Sequence, residues 1–442
     1  MKEELMYFIW RSGQLFQKNL KTKDGKKITV LKPGIRNLFE GPDFLNARLK
    51  IKDIVWNGQV EFHLKSSDWN LHGHQFDPRY NNVILHVVME DDKKVFTKNG
   101  VSLPTLELYH YTDEVQLQKY FLLEKGKGWI PCDPLIHHYK DDFLWSVYLS
   151  RLAVERLRDK TLSILSYLDS KNGDWEQTTL YFFLRYFIGK NNAAAISELM
   201  NKTPMKVLKK YSSDKLNLEA LLLGQAGLLS SSHYIDAYAK ELKKRYGYLS
   251  MLHQLTPISS NYWNLFGIWP SSTPTIRLSQ FCDLMVRYPR LMGLFISTKS
   301  VKELKRELKS SASTYWDNHY QLDIPANKSF RKTSGKDVLD RLILNTAAPI
   351  VFAYGQYTGN TELKERALDW WEELSPENNQ IIRKWAERGI SAGTALESQG
   401  LLHLKNNYCD KSKCLNCSFG NKVLHKNKMD EKVCEEFLFY TA

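Results

Sequence analysis

Apolar and polar positions change period once along the chain. Up to about residue 110 the alternating runs are short and two-fold, as in half-buried strands. Lys27–Leu31 is the first such run and stops at Pro33-Gly34. Leu45–Ile51 and Ile54–Leu64 follow, divided only by Lys52-Asp53, the spacing of two adjacent strands with a tight connection. Val83–Glu90 reads as a buried strand, apolar throughout except for His86 and the terminal Glu90. Lys94–Thr97 and Val101–Leu108 flank Asn99-Gly100, a hairpin signal, and Pro104 makes the second run an edge strand. Ahead of them, Glu3–Phe16 spaces Leu5, Phe8, Ile9 and Leu15 as a short amphipathic helix with its carboxylates in the first turn. These elements predict a small mixed sheet opened by a helix, over residues 1–111.

From residue 112 the period becomes helical and stays so. Helices are expected at Asp141–Leu168, Trp175–Ile188, Asn192–Met200, Leu218–Leu229, Tyr234–Leu252, Leu278–Tyr288, Val301–Lys309, Glu362–Leu374, Asn379–Glu387 and Thr394–Leu401. Pro and Gly punctuate them, as in Gly267-Ile-Trp-Pro270 and Thr273-Pro274. No internal period marks a helical repeat. The expectation is an α+β chain: an α/β domain at 1–111, an all-helical domain at 112–404 and a basic cysteine-bearing tail at 405–442. Gly224-Gln-Ala-Gly227 lacks the Lys-Ser/Thr and the preceding strand of a phosphate loop, so close helix packing is expected there.

Charge narrows the class. A net charge of +13 favours nucleic acid or another polyanion as partner. There is no run of ~18 apolar residues and no charged-then-apolar leader, and six cysteines are too few for a disulfide scaffold. These features predict a cytoplasmic protein that does not enter membranes.

Candidate chemistry concentrates in the paired runs. Glu61, His63 and Lys65 fall at i, i+2 and i+4 of one strand and so share a face, and Asp43 precedes the neighbouring strand behind Pro42. Two carboxylates with a basic group suit a magnesium-dependent phosphodiester hydrolase, because a hard cation prefers oxygen ligands. His86, polar in an apolar strand, needs a partner and would share the site if its strand lies alongside. His72-Gly-His74 with Asp77 is a second, weaker zinc candidate, since paired histidines in a polar loop are more often surface residues.

Pro42-Asp43, a gap of 17 residues, then Glu61-Phe62-His63 resembles the motif of the PD-(D/E)xK nuclease superfamily. His63 stands where that motif has lysine, and Lys65 is the nearest lysine on the same face. The resemblance implies a restriction-endonuclease-like sheet, magnesium held by Asp43 and Glu61, and His63 or Lys65 orienting water or stabilising charge. A further carboxylate from the first helix, Glu3 or Glu4, would be an outer ligand, with Glu4 the expected one. Over its whole length the chain also resembles a family of uncharacterised bacterial proteins.

Cys409-x4-Cys414-x2-Cys417 has thiolate spacing suited to zinc or an iron–sulfur cluster. The fourth ligand is Cys434, nearest in sequence, or Cys132 in Trp129-Ile-Pro-Cys132. Some nucleases of the superfamily split a cluster between one distant cysteine and a trio near the end, and that resemblance favours Cys132. Cys282 is expected in a helix core. Lys405, Lys411, Lys413, Lys422, Lys426 and Lys428 surround the trio and make the tail a reasonable nucleic-acid contact. Two functions follow: a metal-dependent nuclease or nuclease-derived nucleic-acid-binding protein, or a non-enzymatic nucleic-acid- or protein-binding scaffold with a vestigial site.

Overall fold

A computed structural model describes residues 2–112, 114–126, 128–139, 142–264 and 272–425. The architecture is α+β. Six strands, β1 (Ile28–Lys32), β2 (Ile35–Arg36), β3 (Phe44–Ile51), β4 (Ile54–Lys65), β5 (Val83–Glu90) and β6 (Thr105–Glu107), form a mixed sheet in the order β1-β3-β4-β5-β6, with β2 also on β3. β1–β3 and β3–β4 are antiparallel, whereas β4–β5 and β5–β6 are parallel. The β3–β4 turn is Lys52-Asp53, with Ile51 opposite Ile54 and Lys52 in the left-handed region at φ +54°.

Parallel neighbours cannot be joined by a hairpin, so β4 and β5 need a crossover. Residues 66–82 provide it. On the opposite face sits α1 (Glu3–Arg11), where Tyr7 and Trp10 meet Phe62 edge-on at centroid distances of 5.3 and 5.7 Å and Phe44 lies 5.3 Å from Phe62. The crossover carries α2 (Asp68–Leu71) and packs Trp69 and Tyr80 into a cluster with Val83, Val95 and Leu103. Both faces of β4 beyond Asn57, and of β5, are thereby covered, which is why β5 is apolar at nearly every position.

Asn99-Gly100 does form a turn, with Gly100 at φ +76° and Thr97 N donating to Val101 O at 3.0 Å. Its second arm is shorter than the alternation suggests. Pro104 offers no N–H for an antiparallel ladder. The chain instead passes its carbonyl to His86 N (2.9 Å) and joins β5 in parallel as β6, at the end of the sheet order.

The described residues up to 139 and from 404 to 425 form one compact unit, and residues 142–403 form another. The tail is thus part of the sheet-bearing unit. It packs through α18 (Ser418–His425) on α3 (Glu114–Lys125), where Gln116 Nε2 donates to Leu424 O at 3.3 Å. Helix α3 continues the helical period seen further on, so the unit boundary near residue 141 leaves no mark in the pattern.

The second unit contains α4 (Asp142–Ser170), α5 (Trp175–Ile188), α6 (Ala193–Lys202), α7 (Met205–Lys210), α8 (Lys215–Gln225), α9 (Ala237–His253), α10 (Pro274–Arg287), α11 (Leu291–Ser297), α12 (Val301–Leu308), α13 (Lys336–Leu342), α14 (Ala348–Thr358), α15 (Thr361–Glu373), α16 (Gln380–Glu387) and α17 (Ala395–His403). It also holds a small two-stranded ribbon, β7 (His319–Gln321) with β8 (Ile324–Pro325). Helix α10 starts earlier than expected because Thr273-Pro274 opens it: proline at the first helical position loses no hydrogen bond. Helix α14 escapes the sequence pattern because every side chain from Leu342 to Ala353 is buried, leaving no exposed stripe, whereas α13 is a short helix with only Leu339 and Leu342 buried and shows too little period to read. Between them Ile343–Ala347 is a π-turn. Pro349 cannot donate to the carbonyl of Asn345 and its ring crowds that group, so widening the turn relieves the clash.

Gly224 on α8 packs against α9. A Cβ there would lie 2.1 Å from the Tyr246 ring, so the contact is backbone against aromatic, as expected for this glycine. Gly224→Ala should therefore destabilise the helical unit by roughly 3 kcal/mol, in the upper range of overpacking. Thermal unfolding would register this as a drop of several degrees. An unchanged midpoint would mean that α8 and α9 do not abut there.

Candidate metal centre

The register of β4 and β5 sets the site. Glu61 is paired with His86, and His63 lies two residues along β4, so all three project from one face. That is the face the crossover returns across. Gly73, at φ +75°, turns the chain so that His72 and His74 flank it on the way back.

His63 is the hub. Its Nδ1 lies 2.8 Å from His86 Nε2 and its Nε2 lies 3.1 Å from His72 Nδ1. Glu61 Oε1 is 3.4 Å from His74 Nε2 and 3.8 Å from His63 Nε2. One donor atom each from His63, His72 and His74 falls within 4.8 Å of the others, and among the described residues this is the one such group of three or more metal-ligating side chains. Trp69 and Tyr80 wall it in: His74 stacks on Tyr80 at 3.8 Å, and Trp69 meets the rings of His74 and His86 at 5.3 and 5.4 Å.

Asp43 joins through the backbone. Its N–H donates to Glu61 Oε2 (2.9 Å), its Oδ2 accepts from Phe62 N (3.1 Å) and its Oδ1 accepts from Arg36 Nη1 (2.7 Å). The Arg36 guanidinium lies 4.0 Å over the Tyr7 ring, and Tyr7 Oη donates to Glu3 Oε2 at 3.0 Å. Both Asp43 oxygens thus have fixed donors, while Glu61 Oε1 faces the imidazoles.

Burial dominates the electrostatics. It raises the Glu61 carboxyl to about 9, with the Asp43 charge adding to the effect. Burial and the neighbouring imidazoles lower His63 to about 2, and burial lowers His86 to about 3. Asp43 and Glu3 are also raised by burial, opposed at Asp43 by Arg36. Glu61, His63 and His86 are thus held neutral in the absence of a cation, and a dehydrated metal ion would bind where Glu61 gives up its proton. With its proton on Nδ1 and donated to His86, His63 would present its Nε2 lone pair to the ion.

Of the residues expected at this site, Asp43, Glu61, His63 and His86 come together. Lys65 does not: it sits at the exposed end of β4, its Nζ 3.2 Å from Glu90 Oε2. Two residues beyond His63, it has run past the covered part of the sheet. Glu4 is likewise outside. It is exposed on α1, and the helix turns Glu3 toward Asp43 instead. Asp77 caps the next turn and pairs with Arg79 at 2.6 Å rather than joining the histidines. His72 and His74, read from sequence as a separate loop site, belong with His63. Their place follows from the parallel pairing of β4 and β5, which obliges residues 66–82 to recross the sheet face.

The cysteines form a second gathering in the same unit. Burial raises the Cys132 thiol, and next come the charges of Cys409, Cys417 and Cys414, so all four lie within electrostatic reach of one another. Burial and Cys417 push Cys414 up to about 12. No three of these sulfurs all lie within 4.8 Å of one another, so in any trio at least one pair is farther apart than the ~3.8 Å edge of a zinc–thiolate tetrahedron. Cys434 lies outside the described residues, as do Lys426 and Lys428. Cys282 is wholly buried in the helical core.

Sheet, crossover and converging histidines define an α+β protein with a His-carboxylate cluster in its sheet-bearing unit. The chain belongs to the family described as a protein of unknown function, DUF2851, whose model matches residues 3–380. No curated protein and no solved structure matches it. Among the described residues no helix is long and apolar enough to cross a membrane.

Proposed function

We propose that the sheet-bearing unit is a metal-dependent phosphodiesterase of restriction-endonuclease-like type, acting on nucleic acid. The observation that carries this reading is the convergence of His63, His72 and His74 on Glu61, beside Asp43. The net charge of +13 supports a polyanionic substrate. Three imidazole nitrogens with one carboxylate favour zinc, manganese or iron over magnesium, which prefers an oxygen shell and keeps its waters. A bound ion of this kind supplies a water acidic enough to attack a phosphodiester near neutral pH. Glu61 Oε1, beside two of the imidazoles, would hold that water and take its proton once the cation has displaced its own. His86 fixes the orientation of His63, and Arg36 holds Asp43 so that its N–H steadies the other Glu61 oxygen. The cysteine quartet is proposed to hold a second metal group. Such a set of thiolates suits zinc or an iron–sulfur cluster.

The test uses the full chain, purified with and without added manganese, zinc or magnesium, on single- and double-stranded DNA and RNA. Cleavage is expected with a transition metal, reduced ~10²–10⁴-fold by Glu61→Gln if Glu61 moves the proton. Binding of the ion and of nucleic acid without cleavage of any substrate would turn the reading to a vestigial scaffold. Cleavage unchanged in Glu61→Gln would place the chemistry elsewhere.

A further inference from the structure

The helical unit has its own concentration of charge, and it is cationic. Arg156 and Lys160, one turn apart, share a face of α4. Lys160 Nζ donates to Asn345 Oδ1 (2.7 Å) at the π-turn, and lies 5.9 Å from the Tyr186 ring centroid and 5.7 Å from that of Trp371. Lys190, just past α5, stands 5.2 Å from the same Tyr186 ring. Arg185 precedes that tyrosine, and its Nε is buried without a hydrogen-bond partner. Arg156 Nε donates to Gln399 Oε1 (2.6 Å), and Gln399 Nε2 donates to Glu377 Oε2 (2.9 Å).

A buried arginine extends the row. Arg277 is only 5% exposed, yet its hydrogen bonds go to the neutral groups Gln280 Oε1 and Ser272 Oγ, both at 2.9 Å. Its guanidinium also lies 5.1 Å from the Phe187 centroid, and its Nε is buried without a hydrogen-bond partner. Its nearest charged influence is another cation, Arg341. Among the described residues none of the six has a carboxylate within 4.0 Å. Glu377 is the acidic group common to Arg156, Lys160, Lys190 and Arg341, and Asp159 and Asp337 act on Arg156 and Arg341 respectively. Burial and like-charged neighbours accordingly push Lys160 well below its ordinary range.

Cations held out of water without direct counter-ions, as Arg277 and the Lys160 ammonium are, are costly unless an anion completes them. We propose that the helical unit binds the phosphate chain of a small phosphoanhydride, such as a nucleoside di- or triphosphate, at Arg156, Lys160, Arg185 and Lys190, with Arg277 and Arg341 extending the site. Several cations strung over α4, α5, α10 and α13 match a chain of phosphates better than one phosphate. Arg277 and the Lys160 ammonium are too enclosed for a duplex backbone, whereas Lys190 and Arg341 are exposed and mark the way in. The inference is independent of the metal centre and uses none of its residues.

Titration calorimetry and thermal unfolding of the full chain with inorganic phosphate, pyrophosphate, ATP and a single-stranded oligonucleotide test it. Pyrophosphate or ATP should bind saturably and raise the unfolding midpoint, with phosphate at least tenfold weaker. Arg156→Gln should weaken pyrophosphate binding tenfold or more. If that variant fails to fold, Lys190→Ala, at an exposed position, should weaken it severalfold with no change in unliganded stability. Lys160→Met should melt at or above wild type without ligand and lose the response to pyrophosphate. Lower stability of Lys160→Met with unchanged pyrophosphate binding would make the cluster structural and overturn the proposal. So would saturable binding of the oligonucleotide alone, or no saturable binding of any anion.

Discussion

His63→Ala is expected to strip the histidine cluster of its metal. His63 touches His72 through one ring nitrogen and His86 through the other, so its loss removes a ligand and the link to the sheet together. The fall in metal affinity should exceed the 10- to 100-fold expected of His86→Ala, which removes only the group orienting a ligand. The substitution also leaves His86 Nε2 buried without a partner, at a cost of about 1–3 kcal/mol, so unfolding has to be measured alongside. His72→Ala is the safer companion, because His72 is exposed and its removal orphans little. Lys65→Ala should leave affinity unchanged, since its ammonium lies at Glu90. Metal analysis of the purified variants, followed by competition with a chelator, reads all four. Full retention of the ion in both His63→Ala and His72→Ala would assign it to another site.

The two parts of this site differed in how readily the sequence disclosed them, and the reason is topological. Glu61, His63 and Asp43 were legible because a strand's period of two and a tight turn fix their neighbours locally. His86 was legible as a polar residue in an apolar strand, although its partner depended on β4 and β5 being adjacent. His72 and His74 were visible as residues but not as ligands of the same site. Their place is set by the parallel pairing, which no local pattern declares. Lys65 misled because alternation continues past the point where cover ends. The choice between Glu3 and Glu4 turned on the rotation of α1, which is set by Tyr7 and Trp10 packing on Phe62.

The helical unit shows the complementary limit. Trp175–Ile188 was legible to the residue, because Asp174 caps it, accepting from Gln177 N at 2.9 Å, and Gly189 ends it. Helix α14 was not, since the unbroken burial of residues 342–353 erases the periodicity on which such readings depend, and α13 is too short to show one. The cationic row was equally hidden: its members are scattered from residue 156 to residue 341 and meet only through helix packing.

Cys132→Ser is expected to abolish metal retention by the tail. The three tail thiols are close in sequence, but a fourth donor has to come from elsewhere, and Cys132 is within electrostatic reach of all three. Metal bound by such a set contributes folding free energy directly, on the order of 10 kcal/mol for structural zinc in small domains. Residues 404–425 also meet the rest of the sheet-bearing unit through Gln116 Nε2, which donates to Leu424 O, and through the Lys405 ammonium over the Trp129 ring. Losing the metal should therefore open this segment to limited proteolysis while the histidine cluster keeps its own ion. An iron–sulfur cluster would show as a brown colour lost in the variant, whereas zinc would show only in metal analysis. Cys282→Ser is the matched control, because that thiol is sealed in the helical core and should keep the metal at some cost in stability. Retention in Cys132→Ser with loss in Cys434→Ser would transfer the fourth position to Cys434 and leave the metal itself in place. Retention in every cysteine variant, including Cys414→Ser, would remove the thiol site altogether.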